Sequence, residues 1–341
     1  MRTLILGRTE FVGRAFEEEA LSRGWEVTTF NRQTHPAEDG VLSLRGNRWE
    51  TDGLAELAGG DWDVVVDTWS WAPSAVRDAA EYLKTRADRY VYVSSRSVYT
   101  FPTASGADES APLVESSADL TEAEYPEAKA GGELAATAAF GDRATLLRAG
   151  LILGPHENIG RLPWWLQRIA RGGEVLAPGT PDSGIQYIDA RDLARFGLDA
   201  AAAGHGGPFN IVSPVGHATL GELLEACIEV TGSDAELRWV PSETVLAAGI
   251  EPWSQLPAWL PDGELHETLH EGDVTRALDA GLRVRPLRDT VADTWSWLQE
   301  VGDAPQRPDR PRLGLDPEVE ARVLAEWSQR NEQLRLTMPL A

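Results

Sequence analysis

Along its first half the chain alternates short apolar runs with segments whose apolar positions recur every three or four residues. Arg2–Leu6, Glu26–Phe30, Val41–Leu44, Asp63–Asp67, Arg89–Ser94 and Ala144–Arg148 have the character of strands. Phe11–Arg23, Ser74–Thr85 and Glu127–Ala139, between them, have helical periodicity. This alternation predicts βαβ units, because a parallel strand can be followed by its neighbour only through a long crossover. The continuous "DVVVD" suits a strand buried on both faces. Thr103–Thr121, rich in Ser, Asp, Glu and Pro, reads as a long surface loop.

After Gly154 the pattern loosens. It suggests a helix around Leu162–Arg171, a strand at Glu174–Leu176, a helix capped by Asp189, a strand in "PFNIVSP" and a helix at Leu220–Val230. The expected fold is α/β: a doubly wound parallel sheet covered by helices on both faces, followed by a mixed segment that builds a lid or second lobe. Residues 1–155 with about 185–215 would form the dinucleotide-binding part, and 156–184 with 216–300 the lobe. Residues 301–341 would be a proline-rich linker and a final helix, with Asp316 as N-cap and Pro317 at its first position.

Charge and composition narrow the function. The net charge of −23 repels phosphate backbones and anionic lipid, so a small-molecule partner is expected rather than nucleic acid or membrane. No stretch approaches the roughly 20 apolar residues of a membrane span, and the N-terminus lacks a secretory pattern. The single Cys227 excludes a disulfide framework and a thiolate metal site, and a cytoplasmic location is expected. His266 and His270 have the spacing of helical metal ligands, but no third ligand accompanies them, so we expect surface histidines and no metal. Of 31 basic residues only Lys84 and Lys129 are lysine, a bias that suggests a bacterial, GC-rich genome.

Parallel sheets bind ligands beyond the carboxyl ends of their strands. There the chain places Gly7, Arg8, Thr9, Phe11, Val12 and Gly13 in a strand–turn–helix corner. Gly7 permits the tight turn and Gly13 close helix packing, while the helix N-terminus offers N–H groups to a pyrophosphate. Glu10 has no evident role there. The second strand ends in Asn31 and Arg32 with no carboxylate, which favours NADP(H) over NAD(H), and Arg8 is a second candidate for the 2′-phosphate. Solvated surface accounts for the two arginines equally well. Asp67, Thr68, Trp69 and Ser94 follow at later strand ends as cofactor-binding candidates.

"YPEAK" carries the chemistry. Tyr125 and Lys129 stand one helical turn apart, and a neighbouring ammonium favours the phenolate, so the pair can exchange a proton near neutral pH. Ser95, thirty residues upstream, could hold the carbonyl oxygen that Tyr125 protonates. Ser97 is a substrate candidate, although strand-end capping explains it and Ser94 as well. Trp71, Trp164 and Trp253 are candidates for an aromatic-lined substrate pocket; core packing is the competing account.

Together the glycine turn, "VYVSSRSVY", "YPEAKAGGE", "LLRAGLILGP" and "YIDARDLA" resemble the short-chain dehydrogenase/reductase superfamily in its extended, NAD-dependent epimerase/dehydratase-like branch. The resemblance covers roughly residues 1–300. It implies a seven-stranded Rossmann-type domain with a smaller C-terminal substrate lobe, a catalytic set of Ser95, Tyr125 and Lys129, and Ala149, Gly150 and Leu151 near the nicotinamide. It also admits a homodimer. Dehydratases of the family carry Asp-Glu after the catalytic serine or threonine, where this chain has Arg96 and Ser97. Epimerases usually carry Asn where this chain has Leu151. The expected function is therefore NADPH-dependent reduction of a carbonyl or imine in a small hydrophobic or aromatic metabolite. The alternatives are an epimerase or isomerase with tightly bound NAD(P), and a non-catalytic nucleotide-binding member.

Overall fold

A computed structural model of the chain describes residues 1–7, 11–32, 39–50, 52–303, 307 and 313–337. Its elements run β1 (Arg2–Leu6), α1 (Phe11–Ser22), β2 (Glu26–Asn31), β3 (Val41–Arg45), β4 (Trp62–Asp67), α2 (Pro73–Leu83), β5 (Ala87–Ser95), α3 (Tyr125–Phe140), β6 (Ala144–Ala149), β7 (Leu151–Leu153) and α4 (Arg161–Ala170). They continue β8 (Glu174–Pro178), β9 (Tyr187–Asp189), α5 (Ala190–Ala203), β10 (Gly207–Ile211), α6 (Leu220–Thr231) and β11 (Glu236–Val240). The last are α7 (Ser242–Ala247), α8 (Glu264–His270), α9 (Thr275–Asp279), α10 (Leu287–Val301) and α11 (Pro317–Thr337). The six strands expected in the first half are all present, extended by at most two residues at an end.

The chain divides into two compact units. The first, Met1–Ile152 with Gln186–Pro214 and Glu267–Arg285, contains a seven-stranded sheet in the order β10-β6-β5-β4-β1-β2-β3. Every pairing in it is parallel. This is the doubly wound Rossmann architecture. Because successive strand residues face opposite ways, β1 and β4 divide their side chains between two cores. Ile5, Val64 and Val66 join Phe16, Leu193 and Phe196 on one face; Leu4, Leu6 and Val65 join Val76, Leu83 and Phe140 on the other. Burial on both faces is why these strands read as continuous apolar runs.

Glu267–Arg285, expected in the lobe, groups with the sheet instead. Polar bonds hold it there. Arg96 donates to the Thr268 and Leu269 carbonyls, Gln186 bridges both backbone groups of Gly272, and Asn210 donates to the Asp273 carbonyl. Such long-range, side-chain-to-backbone bonds leave no periodic trace in a sequence.

The second unit comprises Leu153–Ile185, Val215–His266 and Pro286–Ala341. Within it β8 pairs with β11 in parallel. Thr219 and Glu222 form a reciprocal capping box at the start of α6, and Asp316 accepts the Glu318 and Val319 N–H groups at the start of α11. A buried ion pair, Arg168 Nε to Glu320 Oε2 at 2.7 Å, fastens α11 to α4. No helix among the described residues is long and apolar enough to cross a membrane.

Candidate active site

The carboxyl ends of β1, β2, β4 and β5 assemble the site. Gly7 has φ +95°, a backbone region that side chains resist. A Cβ there would lie 2.7 Å from the Thr68 hydroxyl, which itself donates to the Leu6 and Gly7 carbonyls. The glycine turn is thus tied to the end of β4. Gly13 is buried in the first turns of α1 with Phe11, and Val12 packs beside them. Arg8, Thr9 and Glu10 lie outside the described residues. At the end of β2 the Asn31 carbonyl accepts the Gly46 N–H at 3.0 Å, and Arg32 is exposed.

Tyr125 opens α3, followed by Pro126 at a position where a missing N–H costs nothing. Close approach of α3 to the sheet explains its small residues. A Cβ on Gly132 would overlap the Tyr92 hydroxyl, and one on Gly131 would lie 2.6 Å from Pro73 and from the Ser117 carbonyl. That proximity buries Lys129 to 2% exposure, with Nζ donating to the carbonyls of Trp69 at 2.7 Å and Val93 at 2.5 Å. Burial pulls the Lys129 ammonium down to about 7, against the attraction of Asp67 and Glu133. An ammonium carries three donors, so one N–H remains for a ligand hydroxyl.

Tyr125 is the accessible phenol at 37% exposure. Tyr90, Tyr92 and Tyr99 are buried, with hydroxyls donating to Asp67, to the Trp69 carbonyl and to Asn210. Burial pushes the Tyr90 and Tyr92 hydroxyls well above the ordinary tyrosine value. Ser95 ends β5; its Oγ accepts the Ser97 N–H at 3.1 Å, capping the turn Arg96–Val98, and donates to Ser97 Oγ at 3.1 Å. Ala149 is buried at the end of β6, and a Cβ on Gly150 would come within 2.5 Å of Val212. Leu151 is buried beside it.

Several candidates prove to have protein partners. The Asp67 carboxylate is spent on Arg48 in a two-bond pair at 2.8 and 2.6 Å, on the Tyr90 hydroxyl at 2.5 Å and on the Trp69 N–H at 3.0 Å. Ser94 donates to Glu133 at 2.5 Å, and Glu133 pairs with Arg148 at 2.8 Å. Trp69 turns its indole N–H to the Ala72 carbonyl and takes the Arg48 guanidinium 5.0 Å over its ring. What β4 and β5 offer a ligand at these positions is therefore backbone and ring surface, not free carboxylate or hydroxyl. Arg48 escaped the sequence reading because nothing local marks it. Glu133 could have been found, standing one turn beyond Lys129 on the same helical face.

Trp71 is 45% exposed at the head of α2. Trp164 and Trp253 lie in the second unit. Trp164 packs edge-on to Trp165 at 4.7 Å and against Gly314; Trp253 holds φ +66° with Arg161 5.6 Å over its ring. His266 and His270, expected at the surface, are buried. Each binds backbone: His266 contacts the Gly184 carbonyl at 3.0 Å, and His270 Nδ1 accepts the Gln186 N–H at 3.1 Å. A helical spacing shows which residues share a face but not which face is covered.

A dinucleotide suits this arrangement. Gly7 bends the chain at the end of β1, Asn31 and Arg32 stand at the end of β2, and Lys129 retains a third donor beyond its two carbonyl bonds.

Residues 67–212 match the model of the NAD dependent epimerase/dehydratase family. Among solved structures, the chain is similar to UDP-glucose 4-epimerase from Thermotoga maritima, with TM-score 0.61 and 17% identity over 88% of this chain and 99% of that one. It is similar also to UDP-glucose 4-epimerase from Thermus thermophilus in complex with NAD, with TM-score 0.59 and 20% identity over 88% and 99%. The Bordetella bronchiseptica enzyme WbmH in complex with NAD+ aligns with TM-score 0.62 and 18% identity over 88% and 99%. No curated protein matches the sequence. The chain shares the parallel seven-stranded fold of these structures, and its residues 67–212 are similar to the NAD dependent epimerase/dehydratase family.

Proposed function

We propose that the chain catalyses hydride transfer at a carbinol or carbonyl carbon of a small molecule, with Tyr125 as the proton-exchanging group. The observation that carries this reading is the buried Lys129 ammonium one turn behind an exposed Tyr125. A bound nicotinamide would supply the hydride acceptor or donor, held by the Gly7 turn, Asn31, Arg32 and Lys129. Tyr125 takes the proton from the substrate hydroxyl, or returns it to the carbonyl oxygen. Lys129, one helical turn further on, supplies a positive charge on the same helical face. Ser95, placed by the Ser97 N–H on its Oγ, is the second hydrogen-bonding group for that oxygen once its own hydrogen turns from Ser97 Oγ to the substrate.

The mode best supported by the comparisons is epimerisation: the same carbon is oxidised and then reduced from its other face, with the cofactor retained. Two of the solved structures described above are UDP-glucose 4-epimerases, and the matching family model is that of epimerases and dehydratases. The second reading is net NADPH-dependent reduction of a hydrophobic carbonyl, favoured by Leu151 in place of asparagine and by the Arg32 end of β2. One experiment separates them. The purified protein is denatured and the released nucleotide quantified. Near-stoichiometric NAD(P) supports epimerisation; nucleotide-free protein that binds NADPH on titration supports reduction. Failure of both NADH and NADPH to bind at millimolar concentration rejects both readings.

A further inference from the structure

The described charges around Lys129 are arranged in two buried pairs. On one side stands Asp67 with Arg48, side chains 0% and 7% exposed; on the other stands Glu133 with Arg148, 5% and 4% exposed. Asp67 also reaches Lys129 through the backbone of one residue, Trp69. Its Oδ1 accepts the Trp69 N–H at 3.0 Å, and the Trp69 carbonyl accepts the Lys129 ammonium at 2.7 Å. The Tyr92 hydroxyl bonds that same carbonyl at 3.1 Å, so the acceptor cannot swing away.

We propose that Asp67, held in place by Arg48 and Tyr90, is the positioning residue of Lys129: it anchors Trp69, whose carbonyl receives the ammonium, and presents a buried negative charge to it. This rests on the reading of Lys129 as part of the catalytic set. It gives Asp67 a role other than contact with a cofactor, and it brings Arg48, on the far side of the β3 end, into the working of the lysine.

Glu133 of α3 is the second anion that attracts the ammonium. Like Asp67 it is paired with an arginine, Arg148 of β6, but its carboxylate bonds Ser94 and Arg148 rather than Trp69. From β5, Tyr92 presents its ring 4.9 Å from the ammonium. In the turn Arg96–Val98, Arg96 is committed to Gln186, Thr268 and Leu269. Arg77, Asp78 and Glu81 of α2 lie toward solvent, and Asp142 and Arg143 follow the far end of α3. Tyr125 stands one turn before Lys129 on its own helix.

The test exploits a chain with two lysines, Lys84 and Lys129. Protein labelled with 13C-lysine gives two Cε signals, and the buried one is titrated by NMR without nucleotide or substrate. Asp67→Asn is expected to lower the Lys129 midpoint by about one unit or more, since an anion is lost while the Arg48 cation remains. The double variant Arg48→Met/Asp67→Asn should fall between that and wild type. If Asp67→Asn does not fold, the double variant, which strands no buried guanidinium, decides the matter by itself. An unchanged or raised midpoint overturns the proposal. Because no turnover is read, this outcome is independent of whether the chain proves an epimerase, a reductase or neither.

Discussion

The Lys129 ammonium donates to the Trp69 carbonyl at 2.7 Å, and this bond joins the helix that carries Tyr125 to the end of the fourth strand. Buried among backbone oxygens with no carboxylate in direct contact, the lysine loses its proton far more easily than a surface lysine would.

That has a consequence for pH. The folded value of about 7 lies below the unfolded 10.5, so between those limits the unfolded chain binds more protons and stability rises with pH. Below pH 7 the buried charge burdens the fold fully. Urea unfolding at pH 6.5 and 9 should show wild type gaining stability relative to Lys129→Met as pH rises. Catalysis that needs the ammonium should fade over the same interval, giving kcat/KM an alkaline limb near pH 7.

Tyr125→Phe should reduce turnover by about 10²–10⁴-fold, the usual yield of positioned proton transfer, with nucleotide affinity changed only a few-fold. Steady-state rates and fluorescence titration with NADPH and NADH check the two halves. A variant that retains full turnover would remove Tyr125 from the mechanism.

Arg32 is exposed at the end of β2, where no carboxylate stands to bind a ribose hydroxyl. If it contacts a 2′-phosphate, Arg32→Ala should weaken NADPH binding about tenfold relative to NADH, the loss of one charge-assisted hydrogen bond. Arg8→Gly should act in the same direction. Unchanged ratios of the two dissociation constants in both variants would refute the NADP preference.

Glu133→Gln strands the Arg148 guanidinium, which is otherwise 4% exposed and paired at 2.8 Å. Removing one partner of a buried pair costs about 3–5 kcal/mol, and Tm should fall on the order of 10 °C. Glu133→Leu/Arg148→Met should recover much of the loss, and calorimetry of the three proteins reads the difference.

Trp164→Ala tests the aromatic-pocket reading of the second unit. Its ring packs on Trp165 and Gly314, so a change in Tm alone marks a packing residue. A raised Michaelis constant across candidate substrates, with the fold intact, marks a substrate contact.

Much of the fold was legible because its causes are local. Strands buried on both faces must be apolar throughout, crossover helices must show a stripe, and Asp189 and Thr219 cap helices with their own side chains. The spacing of Tyr125 and Lys129 was equally plain, since four residues in a helix share a face. The burial of His266 and His270 was not, because the same spacing serves a covered face and an exposed one. Nor was the return of Glu267–Arg285 to the sheet, which depends on Arg96 and Gln186 bonding backbone from more than eighty residues away.

The sequence by itself determined the parallel sheet, the glycine turn and the Tyr125–Lys129 pair, since each follows from periodicity or from spacing within one element. Only the tertiary structure decided what surrounds the lysine. Arg48, Asp67, Trp69, Glu133 and Arg148 come from separate elements, and they meet because adjacent strands end side by side and a glycine-bearing helix lies close upon them. A buried charge answers to whatever lies within a few ångströms, and distance along the chain carries no record of that.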